Sequence, residues 1–155
     1  MSNNIKVVRA GIGDLDRVAP LFDGYRQFYN QPPDLPLARG FMAKRLERAD
    51  SVIFIAIERS NDGEMPLGFV QLYPSFSSVH ACPIWILNDL FVVPESRGLG
   101  IGRALMARAR EHAIDTGAGQ LFLETAPDNP AQKLYESLGY VCQNGTSKYY
   151  VLSLD

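Results

Sequence analysis

The stretch Leu90-Phe91-Val92-Val93-Pro94-Glu95-Ser96-Arg97-Gly98-Leu99-Gly100-Ile101-Gly102-Arg103 decides how this chain folds. Its first four residues are apolar and mostly β-branched or aromatic, which suits a strand. Pro94 has no N–H and stops the ladder. An arginine and three glycines at alternate positions follow. Arg103 to His112 then reads as helix, with Ile101, Leu105, Ala109, His112 and Ala113 on one face. Strand, glycine turn and helix in that order aim backbone N–H groups and the positive end of a helix dipole at an anion. Gly98, Gly100 and Gly102 let a phosphate approach without meeting a Cβ, while Arg97, Leu99, Ile101 and Arg103 supply N–H groups. The same glycines also suit a tight strand-to-helix turn that holds no ligand.

Working outward, Ala81 to Val93 is the longest strand. Its Ile84-Trp85-Ile86-Leu87 run is apolar on successive residues, as where both sheet faces are covered. Val52 to Ile57 and Leu67 to Tyr73 form a hairpin through Ser60-Asn61-Asp62-Gly63-Glu64, and Pro74 to Ser78 reads as a loop. Ile5 to Arg9 is a first strand. Asp14 or Asp16 caps a helix carrying Leu15, Val18, Phe22, Tyr25 and Phe28-Tyr29, in which Gly24 predicts a bend or early end. A second helix, Leu37 to Ala49, sets Phe41, Arg45 or Leu46 and Ala49 on one side. Downstream, Leu121 to Thr125 is a strand, and Asp128-Asn129-Pro130 opens a short helix ended by Gly139. Tyr140 to Cys142 and Lys148 to Leu154 read as a closing hairpin through Asn144-Gly145. This order predicts a single α/β domain over residues 4–155, with a mixed central β-sheet flanked by α-helices.

Composition narrows the partners. The 155 residues carry fifteen basic and seventeen acidic side chains, a net charge of -2, with no basic run. Nucleic acid and anionic membranes need a concentrated positive surface, so neither is expected as a partner. Cys82 and Cys142 match no metal or redox spacing, and only His80 and His112 supply imidazole, so no metal is expected. Both cysteines stand beside apolar residues and read as core thiols. No signal-peptide region or membrane-length apolar stretch is present, which predicts a cytoplasmic location.

Two familiar phosphate motifs do not match. A P-loop needs G-x-x-x-x-G-K-[ST], and Gly98 to Arg103 has neither that spacing nor the lysine. A dinucleotide fingerprint wants G-x-G-x-x-G early in a βαβ unit. Gly98-Leu99-Gly100-Ile101-Gly102 lacks that spacing and lies past the middle of the chain.

Arg97-Gly98-Leu99-Gly100-Ile101-Gly102 resembles the acetyl-CoA pyrophosphate motif of the GCN5-related N-acetyltransferase (GNAT) superfamily, [QR]-x-x-G-x-[GA]. The preceding strand, Asn129, Tyr135 and the ending Tyr135-Glu136-Ser137-Leu138-Gly139-Tyr140 follow in the family's order. The resemblance spans nearly the whole chain, least firmly over the two early helices. Asn88-Asp89-Leu90-Phe91-Val92 and Leu123-Glu124-Thr125-Ala126 look most like the diamine and histone-type branch. The resemblance implies a sheet with a splayed strand pair. It also implies acetyl-CoA as cofactor, with its pantetheine arm against the backbone of Phe91, Val92 and Val93.

The resemblance also implies roles. Tyr135 matches the tyrosine that protonates the CoA sulfur, and an ordinary phenol, with pKa roughly 10, keeps its proton at pH 7. A packing role for its ring is the competing reading. Asn129 matches a residue contacting pantetheine, and it also suits a plain helix cap. In the diamine enzymes a glutamate precedes Asp-Leu-Phe-Val, whereas this chain has Asn88, which takes no proton at neutral pH. Asp89 is adjacent, yet a regular strand points it to the opposite face. Glu124, on the next strand, is the preferred base, directly or through water; an ion pair within the sheet is the alternative. His80 reads as a surface loop residue.

Tyr25, Phe28 and Tyr29 form one aromatic group, and Tyr73, Phe76 and Trp85 another. Aromatic faces attract ammonium groups. Tyr25, Tyr29, Trp85 and Asn88 are therefore the expected acceptor-binding residues, with core packing as the other account of the rings. The function expected is acetyl transfer from acetyl-CoA to a primary amine of a polyamine-like or amino-acid-like small molecule. The amine attacks directly in a ternary complex, and a homodimer is expected from the family. The alternatives are a protein lysine or N-terminal acetyltransferase, and a non-catalytic acyl-CoA-binding regulatory domain.

Overall fold

The structure, a computed structural model, describes residues 4–143, 148 and 150–154. The backbone groups into two compact units, Met1–Glu124 and Thr125–Asp155. In the first, β1 (Ile5–Arg9) leads through a 3-10 turn (Ile12–Asp14) into α1 (Leu15–Phe28) and α2 (Leu35–Arg48). Strands β2 (Val52–Ser60), β3 (Gly63–Ser77) and β4 (Cys82–Val92) follow as a meander. A 3-10 turn (Pro94–Ser96), α3 (Ile101–Asp115) and the short β5 (Gln120–Phe122) complete the unit. The strands form one sheet in sequence order, antiparallel from β1 to β4 and parallel between β4 and β5. The second unit holds α4 (Gln132–Ser137).

The run Val52 to Ile57 is buried throughout because helices cover both faces of β2. Ile53, Ile55 and Ile57 pack with Val18, Leu21 and Phe22 of α1, Ala38 and Met42 of α2, and Phe69 and Phe91. Phe54 turns the other way, with its ring 5.7 Å from that of His112 and under Arg108 of α3 at 4.4 Å. Helix α3 buries the stripe legible in its sequence, Ile101, Leu105, Ala109, His112 and Ala113, and adds Met106.

The sheet is mixed, as expected, and one strand pair splays. Among the described residues, β4 pairs with β5 at Ile84, Trp85 and Ile86 and extends beyond that pairing to Val92. The β3–β4 register is also broken. Gln71 faces Asp89 and Leu72 faces Leu87, so Asn88 is an extra residue in β4, a β-bulge.

Several local expectations are corrected. Gly24 does not end α1, which continues to Phe28. A Cβ there would lie 2.9 Å from Phe91 Cζ, so the glycine admits the ring of Phe91. The buried stripe of α2 is Ala38 and Met42, while Phe41 lies at the rim, stacked on Phe22 at 5.1 Å. Pro74 to Ser77 extend β3 instead of looping, because β4 is long enough to pair with them and tertiary pairing overrides their turn-like composition. Of Ile84 to Leu87 only Leu87 is buried, since a three-residue strand covers that edge. Residues 123–125, read as strand, lie beyond β5. The Asn144-Gly145 turn lies outside the described residues, and residues 140–143, 148 and 150–154 carry no strand. Neither thiol is a core group: Cys82 is half-buried where Gly119 passes the mouth of β4, and Cys142 follows α4 and is exposed.

Among the described residues, no helix is long and apolar enough to cross a membrane.

Candidate active site

The glycine turn is built for close approach. Gly98 and Gly100 have φ of +78° and +82°, a conformation that strains any residue with a Cβ. A Cβ placed at either would meet nothing within 4 Å, so the space over the turn is open. Gly100 caps α3, and Ala104 N–H closes the first intrahelical bond, onto Gly100 O at 3.1 Å. The N–H groups of the first turn, at Ile101, Gly102 and Arg103, point off the helix start. Ile101 is 1% exposed and pins that start into the core, while Leu99 is exposed. Open space, glycine backbone and a positive helix end fit a pyrophosphate.

The strand leading to the turn presents one edge to the splay. Val93 N–H donates to Leu67 O at 2.9 Å. Backbone directions alternate along an antiparallel strand, so Leu90 and Val92 face the side that β5 leaves open. Phe91 and Val93 face β3. Of the expected trio, Val92 therefore stands on the open edge. Its carbonyl accepts from Arg97 Nε at 2.9 Å. The Arg97 guanidinium also lies over the Phe28 ring at 5.5 Å and the Phe91 ring at 5.8 Å.

A buried polar group lies along β4 from this edge. Asp89 is 2% exposed. Asn88 Nδ2 donates to its Oδ1 at 2.9 Å, and Gln71 Nε2 donates to its Oδ2. Ser51 Oγ donates to Gln71 Oε1 at 2.9 Å, and Gln71 Nε2 also reaches Tyr73 OH at 3.3 Å. Tyr25 OH, on α1, donates to Asn88 O at 3.3 Å and also hydrogen-bonds Asp89. Burial pushes the Asp89 carboxyl above its ordinary range, against the opposing hydrogen bonds from Gln71, Asn88 and Tyr25. Burial and then the Asp89 charge raise the Tyr25 phenol as well. The same causes push Tyr73 up to about 12. Tyr29 packs on Tyr25 at 5.0 Å and Phe28 on Tyr29 at 5.3 Å.

Tyr25, Tyr29 and Asn88 are thus brought together on the α1 side of the sheet. Trp85 is not with them. It packs on His112 at 4.9 Å and donates from Nε1 to Thr116 Oγ1 at 2.8 Å, on the α3 side. Phe76 is exposed, and so is His80. Asp89 was discounted by assuming a regular strand, but the bulge at Asn88 lets the two side chains touch. This network went unread in the sequence, where its one signal is Gln71, a polar residue in the middle of an apolar strand. Glu124 is exposed and lies beyond β5. In the second unit, Asn129 Oδ1 accepts from Ala131 N–H at 2.9 Å ahead of α4, and Tyr135 lies within that helix, its ring 6.3 Å from Tyr140.

Residues 16–140 match the acetyltransferase (GNAT) family. The chain is 45% identical over 146 residues to the uncharacterized N-acetyltransferase YhfO of Bacillus subtilis (strain 168), covering 94% of this chain and 95% of that one. A crystal structure of a probable acetyltransferase superposes with a TM-score of 0.85 at 39% identity, covering 97% of this chain and 98% of the other. A thialysine N-epsilon-acetyltransferase of Bos taurus is 37% identical over 78 residues, half of this chain and 45% of its own length. The chain belongs to the GNAT family of acetyltransferases. It is an acetyl-CoA-dependent N-acetyltransferase, and the open glycine turn fits that cofactor.

Proposed function

We propose that this chain acetylates a primary amine of a small, polyamine-like or amino-acid-like molecule, by direct attack in a ternary complex. The observation that carries this reading is the buried Asp89 carboxyl beneath Tyr25, on the same strand whose end enters the glycine turn. The rings of Tyr25 and Tyr29 pack together beside it, and aromatic faces attract ammonium groups. A relative that acts on the N-epsilon amine of thialysine supports an amino-acid-like acceptor. A homodimer in the cytoplasm is part of the same reading, resting on the family resemblance and the sequence.

The residues divide the work as follows. When bound, acetyl-CoA supplies an activated acetyl thioester. Gly98 to Arg103 hold the pyrophosphate with backbone N–H groups, Val92 offers its N–H to the pantetheine arm, and Asn129 contacts that arm. Tyr25, Tyr29 and Asn88 shape the acceptor side. Tyr135 gives a proton to the departing sulfur. Glu124 takes the proton from the acceptor, and Asp89 is the second carboxyl available for that step. The first test is acetyl-CoA-dependent thiol release with spermidine, L-lysine, thialysine and an aminoglycoside, beside a lysine-rich peptide. Saturable turnover with a free amine is expected. Turnover with the peptide alone overturns the small-molecule reading.

A further inference from the structure

We propose that Phe28 is a positioning residue for the glycine turn: its ring holds the Arg97 guanidinium in place, so that Arg97 fixes the turn's geometry instead of meeting phosphate with its own charge. This rests on the reading that the turn holds the CoA pyrophosphate. Three contacts converge on one guanidinium. Its Nε–H is committed to Val92 O at 2.9 Å, and its Cζ lies over the rings of Phe28 and Phe91. It thereby ties the last residue of β4, a core ring and the C-terminal end of α1 to the residue just before Gly98.

The intervening backbone is folded tightly. Ser96 N–H donates to Val93 O at 3.0 Å and Arg97 N–H to Pro94 O at 3.4 Å. Gly98 and Gly100, both in the left-handed region, follow at once and have no side chains of their own to hold the turn. Ile101 anchors the helix side of the turn, and Arg97 is the long side chain that anchors its strand side.

Phe28 is placed for this by Gly24. The glycine lets α1 close to 2.9 Å from Phe91, measured from the Cβ it lacks. Residues four apart share a helix face, so Phe28 follows one turn later above the same strand. Core packing leaves its exposure unexplained, since the ring is 47% exposed and absent from the buried cluster. A lysine at position 97 could still neutralise a phosphate, but it has no planar fork to lie on the ring while donating to Val92 O.

The test is calorimetric titration of the full chain with CoA at two salt concentrations, for wild type, F28A, R97K, R97M, F28A/R97M and G100V. From the usual strength of an exposed cation–π contact, F28A is expected to weaken CoA binding by about 2- to 5-fold. R97K should fall as far as R97M, the double variant should be no weaker than R97M, and the salt dependence should match wild type. Wild-type affinity in F28A overturns the proposal. So does an R97K that binds like wild type while R97M binds weakly with a shallower salt dependence, which would mark a direct charge contact. Unchanged affinity in a folded G100V instead removes the phosphate assignment on which the proposal rests.

Discussion

Replacing Gly68 with alanine tests how closely β3 and β4 must approach just ahead of the glycine turn. Gly68 stands across from Val92. An added Cβ would lie 2.6 Å from Phe91 O, 3.2 Å from Val92 Cα and 3.3 Å from Val92 Cγ2. Two of these atoms are backbone, so relief requires moving a strand. Overpacking of this kind costs about 1–3 kcal/mol, offset by about 0.5–1 kcal/mol because alanine has less freedom to lose on folding. The net loss, up to about 2.5 kcal/mol and about 1.3 kcal/mol at the middle of both ranges, lowers Tm by about 3–5 °C in a domain of this size. The displaced strand leads into Pro94–Ser96, so CoA affinity should fall as well. Gly40→Ala is the control, since Gly40 lies inside α2 with nothing within 4 Å of the added Cβ. There the helix propensity of alanine should raise Tm by about 1–4 °C. Thermal melts by circular dichroism and CoA calorimetry on both variants give the answer. A Gly68→Ala protein that melts at or above wild type and binds CoA equally well would refute the reasoning.

Other consequences are open to direct measurement. Tyr135→Phe keeps the ring, so the fold should survive while turnover at saturating acetyl-CoA drops by roughly 10- to 1000-fold; a wild-type rate assigns the tyrosine to packing. Glu124→Gln and Asp89→Asn separate the two carboxyls. The true base should show a kcat/KM deficit that narrows from pH 7 to 10 as the amine arrives neutral, whereas a pH-independent deficit marks a structural role. Hydrogen bonds from Arg59 and Lys6, with Arg17 nearby, hold the Glu64 carboxyl down at about 2. A lowered folded-state pKa stabilises above the unfolded value and is lost as pH falls toward 2. The gap in urea stability between wild type and Glu64→Gln should therefore close between pH 5 and pH 2, and a constant gap would count against the ion-pair cluster.

The strand, glycine turn and α3 were legible because their signals are local. Pro94 ends a ladder whatever surrounds it, alternate glycines free a backbone wherever they occur, and a 3.6-residue stripe needs only its own helix. The family motif rests on the same contiguous residues, so it too could be read directly. The polar network around Asp89 was not, because it depends on which strands pair and in what register. One extra residue in β4 turned Asn88 toward Asp89, a long β4 drew Pro74 to Ser77 into the sheet, and the placement of α3 took Trp85 to the far face. Sequence alone determined which segments form the strand, glycine turn and helix, since their conformations follow from residues adjacent in the chain. Tertiary structure decided that Gln71 meets Asp89 and that Arg97 rests on Phe28, since these partners lie 18 and 69 residues apart in sequence and come together only when the sheet and α1 pack.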